Sequence, residues 1–237
     1  MNDNNVIYKY QSGFHPGDST INQLVDIYNT IISSLDKGKD VGFIFCDISK
    51  AFDKVWHKGL LSKLKTYGVS GNILGWIENY LCDRQQKVVI DGFSSNHETV
   101  NAGVPQGSVL GPFLFLLYIN DICDDLVNNI RLFANDTSLY AIVENGTTNV
   151  AQSLTNDLDL VDKWSKDWLV DFNPNKTVNV DFSTKNKAYP PIKFGENGPL
   201  IDQNIFHTHL GLCFQRDATW TLHIQLIHEK ATKRLNS

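Results

Sequence analysis

The sequence predicts an α+β fold with a largely antiparallel sheet, and three observations carry that prediction. Residues 130–143, IRLFANDTSLYAIV, contain two apolar runs joined by a polar break at Asn135-Asp136, the pattern of a tight β-hairpin. Residues 41–48, VGFIFCDI, are almost wholly apolar, which suits a short strand buried on both faces. Around these strands lie apolar stripes of helical period. The resulting order, α, β, α, α, β-hairpin, α, β-hairpin, α, β, reads as one unit with helices packed on a sheet.

Taken in order, residues 1–10 form a ragged start, and QSGFHPGD at 11–18 is a Gly/Pro loop. Residues 20–35 predict an amphipathic helix with Ile21, Leu24, Val25, Tyr28, Ile31, Ile32 and Leu35 on its stripe and Ser19 as its cap. The strand at 41–48 is interrupted by Asp47. An aspartate there either caps the next turn or serves as a metal ligand or catalytic group, since chemistry gathers at the carboxyl ends of strands. Two short helices follow. One carries Leu60, Leu61, Leu64 and Tyr67 and stops at Gly68. The other is capped by Ser70 and buries Ile73, Leu74, Trp76, Ile77, Tyr80 and Leu81.

A hairpin is expected from 85–90 to 97–101 around Asp91-Gly92. The stretch AGVPQGSVLGP at 102–112 is a shaped loop, and a buried helix spans 114–119. A long helix at 149–168 has Val150, Leu154, Leu158, Val161, Trp164 and Trp168 on one face. The segment FNPNKT at 172–177 breaks it. Strands follow at 178–182, 192–194 and 207–214, and a helix begins at 221.

The 237 residues can bury one substantial core or two modest ones, and 42% hydrophobic with 20% charged residues describes an ordinary globular chain. No run reaches membrane-span length and the N-terminus has no apolar signal core, so nucleus or cytoplasm is expected rather than secretion. Cys46, Cys82, Cys123 and Cys213 form no CxxC pair and are expected as reduced thiols, mostly in the core. The histidines show no metal spacing, with His223 and His228 on the surface or partly buried. The net charge of −5 argues against a free-standing nucleic-acid binder, though not against one whose basic elements lie elsewhere.

The polar turn of the central hairpin has two readings. Asn and Asp tolerate turn geometry, so it can be a plain surface turn. A carboxylate at a buried tip is costly unless a cation sits against it, and a second aspartate from a neighbouring strand would favour that reading. Asp47 and the Asn135-Asp136 hairpin could meet in one sheet. Paired carboxylates there suit two Mg²⁺ ions and phosphoryl displacement.

Five blocks, FCDISKAFDKVWHKGLLSKL, AGVPQGSVLGPFLFLLYINDI, IRLFANDTSLY, WSKDWLVDFNPNKT and HLGL, stand in the order and spacing of non-LTR retrotransposon reverse transcriptases. The chain resembles that family, the jockey-like group above all, from about residue 11 to its end. The resemblance implies a right-hand polymerase and one reverse transcriptase domain fragment over 1–237. Partial fingers would lie at 11–40 and about 54–100, palm at 41–53 and 101–205, and primer-grip hairpin with the start of the thumb at 206–237. It implies an RNA-directed DNA polymerase that uses Mg²⁺, dNTPs, an RNA template and a DNA primer, with no membrane partner and with other retrotransposon domains outside this chain.

Residue by residue, Asp47 matches the first metal-binding aspartate and the main-chain oxygen of Ile48 the next metal contact. The backbone at Lys50 and Ala51 matches the triphosphate cradle, and Phe52 the gate against a ribose 2′-OH. Gln106 matches the residue along nucleotide and template, Lys176 a lysine that protonates the leaving pyrophosphate, and His209-Leu210-Gly211 the primer grip. By the residues alone, Phe52 is as well a core aromatic, Gln106 a turn amide, Lys176 a solvated charge, Lys50 with Asp53 a local pair, and Trp164/Trp168 a core pair.

The sequence departs from the family where the central turn usually reads Phe-Ala-Asp-Asp, because Asn135 holds the place of the first of those aspartates. An amide has one carbonyl oxygen and no charge. The expectation is an impaired polymerase, with Asp136 the surviving, lesser contributor. The alternative is an inactive relic or a co-opted nucleic-acid-binding domain. His15 and Asp18 also stand where the family tends to have Arg, which weakens the positive face of the fingers.

Overall fold

The computed structural model describes residues 6–143, 150–185 and 188–235. In chain order its elements are α1 (Thr20–Asp36), β1 (Asp40–Asp47), α2 (His57–Thr66), α3 (Gly71–Leu81), β2 (Gln85–Gln86), β3 (Val89–Ile90), β4 (Phe93–Ser94), β5 (Glu98–Thr99), α4 (Leu110–Ile119), β6 (Asn129–Phe133), β7 (Asp136–Val143), α5 (Val150–Asp167), β8 (Val178–Phe182), β9 (Asp202–Gln203), β10 (Phe206–His209), β11 (Leu212–Gln215) and α6 (Thr221–Leu235). The expected helix residue Asn149 lies outside the described residues. The chain forms two compact units, each threaded from separate segments: 1–9, 48–124 and 164–171 in the first, and 10–47, 125–163 and 172–237 in the second.

The second unit is built on a five-stranded sheet in the order β6-β7-β1-β8-β9, antiparallel except for the β8–β9 pair. The central strand β1 is buried along seven of its eight residues, as its unbroken apolar run predicts. Phe43, Phe45, Tyr140, Val180 and Phe182 form one core with Ile27 and Ile31 of α1 and Phe214 of β11. On the other face Gly42 lies under Leu154 of α5, where a Cβ would come within 3.3 Å of the leucine.

Ser19 caps α1 as expected, its hydroxyl accepting from the N–H of Asn22 at 3.2 Å. Most of the expected stripe of α1 meets the core, with Ile31 buried and Leu24, Tyr28, Ile32 and Leu35 packed against it, but its N-terminal part does not. Gln23, Ile27, Ile31 and Ser34 are buried, whereas Ile21 and Val25 are 69% and 61% exposed. The expected strand at 192–194 is absent among the described residues. An isolated bridge, Lys193 to Leu200, stands there, and the strand that joins the sheet is β9.

The first unit packs α2 against α3 and α4. Leu60, Leu64, Leu81, Leu114, Phe115, Tyr118 and Ile119 are among its fully buried side chains. The helix expected from 114 begins earlier, at Leu110, because Pro112 sits in its first turn, where its missing N–H costs no helical hydrogen bond. Ser70 occupies the N-cap of α3 but its hydroxyl makes no cap bond, and Ile73 and Trp76 are 66% and 59% exposed instead of buried. The expected hairpin around Asp91-Gly92 is present as two short ribbons, β3 with β4 and β2 with β5. Trp164 and Trp168, expected as a core pair, flank the buried ammonium of Lys63, which lies 3.6 Å from the Trp168 ring centre. The four cysteines are free as expected, but Cys82 is exposed and Cys123 half-buried.

Candidate active site

The site follows from the register of the central strands. β1 and β7 run antiparallel with Asp47 opposite Asp136, so two carboxylates project from neighbouring strands at one end of the sheet. The hairpin loop is one residue earlier than the polar break suggested. Phe133 pairs with Asp136, and the two-residue loop is Ala134-Asn135, with Ala134 at φ +53. That shift makes Asp136 a ladder residue and so fixes it across from Asp47. Partial burial, with the Asp47 charge in second place, pushes the Asp136 carboxyl above the usual range. Asn135 is half-buried at the turn.

A cation of the protein itself approaches this pair. Lys176 Nζ lies 3.4 Å from Asp47 Oδ2, with the lysine side chain 66% exposed. The FNPNKT segment that carries it is hooked to the end of β1, since the N–H of Asn173 donates to the carbonyl of Asp47 at 2.9 Å. The N–H groups of Lys176 and Thr177 then both donate to the carbonyl of Asn173 at 3.0 Å. The Thr177 hydroxyl donates to the same carbonyl, and Thr177 is fully buried, so the turn is rigid at its base.

The opposite wall is the β10–β11 hairpin, whose loop is Leu210-Gly211 with φ +48 and +87. Positive φ at both loop positions is the twist-matched two-residue turn of antiparallel strands. Asp47, Asp136, Lys176, His207, His209 and Leu210 line one groove of about 360 Å³. His207 and His209 lie against the Phe45 ring with centroids 4.5 and 5.1 Å away. Burial pushes both imidazoles down to about 4, so they are neutral at pH 7. Cys46, also in the groove, is an inert thiol, because burial pushes it up to about 12.

The remaining expected residues belong to the first unit. Lys50 takes a left-handed conformation, φ +50, and starts a tight turn in which its carbonyl accepts from the N–H groups of Asp53 and Lys54 at 3.0 and 3.1 Å. Ile48 and Ala51 are buried, and Phe52 stacks on Phe115 with centroids 4.6 Å apart. Asp53 has a partner other than the expected Lys50, because Gln106 Nε2 donates to Asp53 Oδ1 at 2.8 Å. Lys50, Asp53, Arg84 and Gln106 line a groove of about 690 Å³.

Residues 1–194 match the sequence pattern of the family described as reverse transcriptase (RNA-dependent DNA polymerase). The chain belongs to the reverse transcriptase family. The RNA-directed DNA polymerase from mobile element jockey of Drosophila funebris is 31% identical over 97% of this chain. Its counterpart in Drosophila melanogaster is 31% identical over 94%. The chain spans about a quarter of the length of each relative. Among solved structures, apo telomerase from Candida tropicalis, truncated from its C-terminal domain, has a TM-score of 0.54 at 17% identity. That match covers 83% of this chain and 38% of the telomerase chain, so a reverse transcriptase palm fold is shared across remote sequences.

Family membership implies divalent cations, and the donor set fits them in type. Hard oxygens at Asp47 and Asp136 suit Mg²⁺ and face each other across the strands. Among the described residues no three His, Cys, Asp or Glu side chains converge as a metal group. The side chain next to Asp136 in the turn, Asn135, is a neutral amide. Two residues in or next to the site escaped the sequence. His207, which lines the groove, carries no motif of its own, and Gln11, which bonds to Ala134 of the hairpin turn, sits in a loop that reads as turn chemistry alone. No helix among the described residues is long and apolar enough to cross a membrane.

Proposed function

We propose that this chain is the catalytic palm of an RNA-directed DNA polymerase, transferring nucleotides from dNTPs to a primer 3′-OH on an RNA template, with activity lowered by Asn135. The observation that carries this is the cross-strand pairing of Asp47 with Asp136, with Lys176 beside it. Asp47 and Asp136, with the main-chain oxygen of Ile48, would hold the Mg²⁺ ions, which supply Lewis-acid stabilisation of attacking and leaving oxygens. Lys176, exposed and 3.4 Å from Asp47, can swing to the leaving pyrophosphate and donate a proton there.

The backbone at Lys50 and Ala51 cradles the triphosphate, Phe52 excludes the 2′-OH, and Gln106 lines the nucleotide groove. His209, Leu210 and Gly211 hold the primer end. The neutral His207 and His209 add no competing charge near the carboxylates. With an amide at 135 the transition state loses one anionic contact to its cations, a loss of about three decades in rate.

Three chains test this: the unsubstituted protein, Asn135→Asp, and Asn135→Asp with Asp47→Asn. Primer extension on an RNA template with Mg²⁺ is expected to rise about a thousandfold in Asn135→Asp and to vanish in the double variant. Mn²⁺ titration followed by electron paramagnetic resonance reads the same site without turnover, and is expected to tighten and then fail in that order. Equal extension by the unsubstituted chain and Asn135→Asp would refute the role given to position 135. Retained Mn²⁺ binding without Asp47 would refute the site.

A further inference from the structure

Gln11 is 3% exposed, although it lies in a loop whose residues 14–17 are exposed. A buried primary amide needs partners for its oxygen and its NH₂. Its Oε1 accepts from the N–H of Ala134 at 2.8 Å and from the N–H of Gly13 at 2.9 Å. Its Nε2 donates to the carbonyl of Ala134 at 3.5 Å. One side chain therefore grips the peptide groups on both sides of Ala134.

The main chain around Gln11 reinforces this grip. The N–H of Leu132 donates to the carbonyl of Tyr10 at 3.0 Å, and the N–H of Ser12 donates to the carbonyl of Leu132 at 2.9 Å. The segment thus adds a short parallel rung along the outer edge of β6. Gly13 closes onto the turn itself. A Cβ there would stand 2.1 Å from the nitrogen of Ala134 and 2.8 Å from the carbonyl carbon of Phe133, both backbone atoms that cannot swing aside.

The gripped residue is the first of the two loop residues, immediately before Asn135, and it holds a left-handed φ of +53 that disfavours a side chain bearing Cβ. A two-residue loop has no ladder partner of its own at its tip, so an external partner decides how firmly it is set. We propose that Gln11 is a positioning residue: its amide locks the Ala134-Asn135 loop so that positions 135 and 136 face Asp47 in one fixed geometry. Metal sites tolerate misplacement of only a few tenths of an ångström, and outer partners that orient ligands change affinity by about 10–100-fold. This inference rests on the metal-holding role given above to Asp47 and Asp136.

The test uses the full chain carrying Asn135→Asp, with Gln11→Leu, Gln11→Glu or Asp47→Asn added. Residue-resolved amide exchange reads the clamp, and Mn²⁺ titration reads the site. Ala134 N–H is expected to be protected in the parent, to lose protection in Gln11→Leu, and to keep it in Gln11→Glu, which retains the acceptor oxygen. Mn²⁺ affinity is expected to fall about tenfold in Gln11→Leu and to recover in Gln11→Glu. Exchange of Ala134 N–H at the free-peptide rate in the parent, while Leu132 stays protected, would overturn the clamp without any variant. Faster exchange in Gln11→Leu with unchanged Mn²⁺ affinity would overturn the positioning role. Insensitivity of Mn²⁺ binding to Asp47→Asn marks a different failure: it removes the metal-holding role and this inference with it.

Discussion

His207 and His209 show what burial does to a single side chain in this groove. Both rings take a proton only near pH 4 in the fold, against 6.5 in an unfolded chain, because burial disfavours the charged form. Between those values the unfolded chain binds more protons. Their contribution to stability is therefore fully present above about pH 6.5 and is lost as pH falls toward 4, on the order of a few kcal/mol for the pair. Asp47, Asp136 and Lys176 line the same groove. Urea midpoints at pH 7 and pH 5 check the assignment. The unsubstituted chain is expected to weaken at pH 5, and His207→Phe with His209→Phe, which keeps aromatic packing on Phe45, is expected to flatten the loss. An unaltered pH slope in the double variant would exclude the two rings as its source. At this scale the carboxylates were readable from sequence, because an aspartate interrupting an apolar strand is costly without a reason. Gln11 was not readable, since nothing local distinguishes an amide that caps its own turn from one that holds a turn over a hundred residues away.

The period of the elements was readable, and their phase only in part. The α1 stripe was found by spacing, and Leu24, Tyr28, Ile31, Ile32 and Leu35 do meet the core, yet Ile21 and Val25 face outward and Gln23 inward. Ile73 and Trp76 of α3 are exposed as well, because two faces of that helix carry apolar residues and α2 packs on one. The strand expected at 192–194 lost to a Gly195–Gly198 turn, while two polar residues, Asp202 and Gln203, joined the sheet by backbone pairing, with the Gln203 side chain donating to Asp181 of β8 at 2.6 Å. The β10–β11 hairpin was placed by its flanking residues, but its turn type is visible only in φ. Gly211 has φ +87 and no atom within 4 Å of where a Cβ would stand, so Gly211→Ala meets no clash and carries the conformational cost alone. The expected loss is about 1 kcal/mol, read as a shift in urea midpoint with unchanged slope. A loss several times larger would mean that the glycine serves close packing that the fold does not otherwise display.

Across the whole chain, cohesion of the first unit converges on one buried charge. Lys63 of α2 is 3% exposed, and its Nζ donates to the carbonyl of Tyr118 and to Asp121 Oδ1, both at 2.5 Å. Asp121 also accepts from Trp164 Nε1 at 2.8 Å, and the Tyr118 hydroxyl donates to the carbonyl of Trp168. One ammonium thus ties α2, the end of α4 and the segment 164–171, which the sequence separates by some hundred residues. Burial pushes Lys63 down to about 8, so at pH 7 it remains mostly charged and the Asp121 pair is intact. Lys63→Met keeps the length of the side chain but removes the ammonium from the Tyr118 carbonyl and leaves the Asp121 charge with Trp164 Nε1 and no cation beside it, at a cost of about 3 kcal/mol. Because each unit has a core of its own, the cost is expected to appear as faster amide exchange in α2, α4 and 164–171, with β1 and β7 unchanged. Equal acceleration in β1 and β7 would show that the chain opens as one cooperative block, and that the two sets of segments are not separate units of stability.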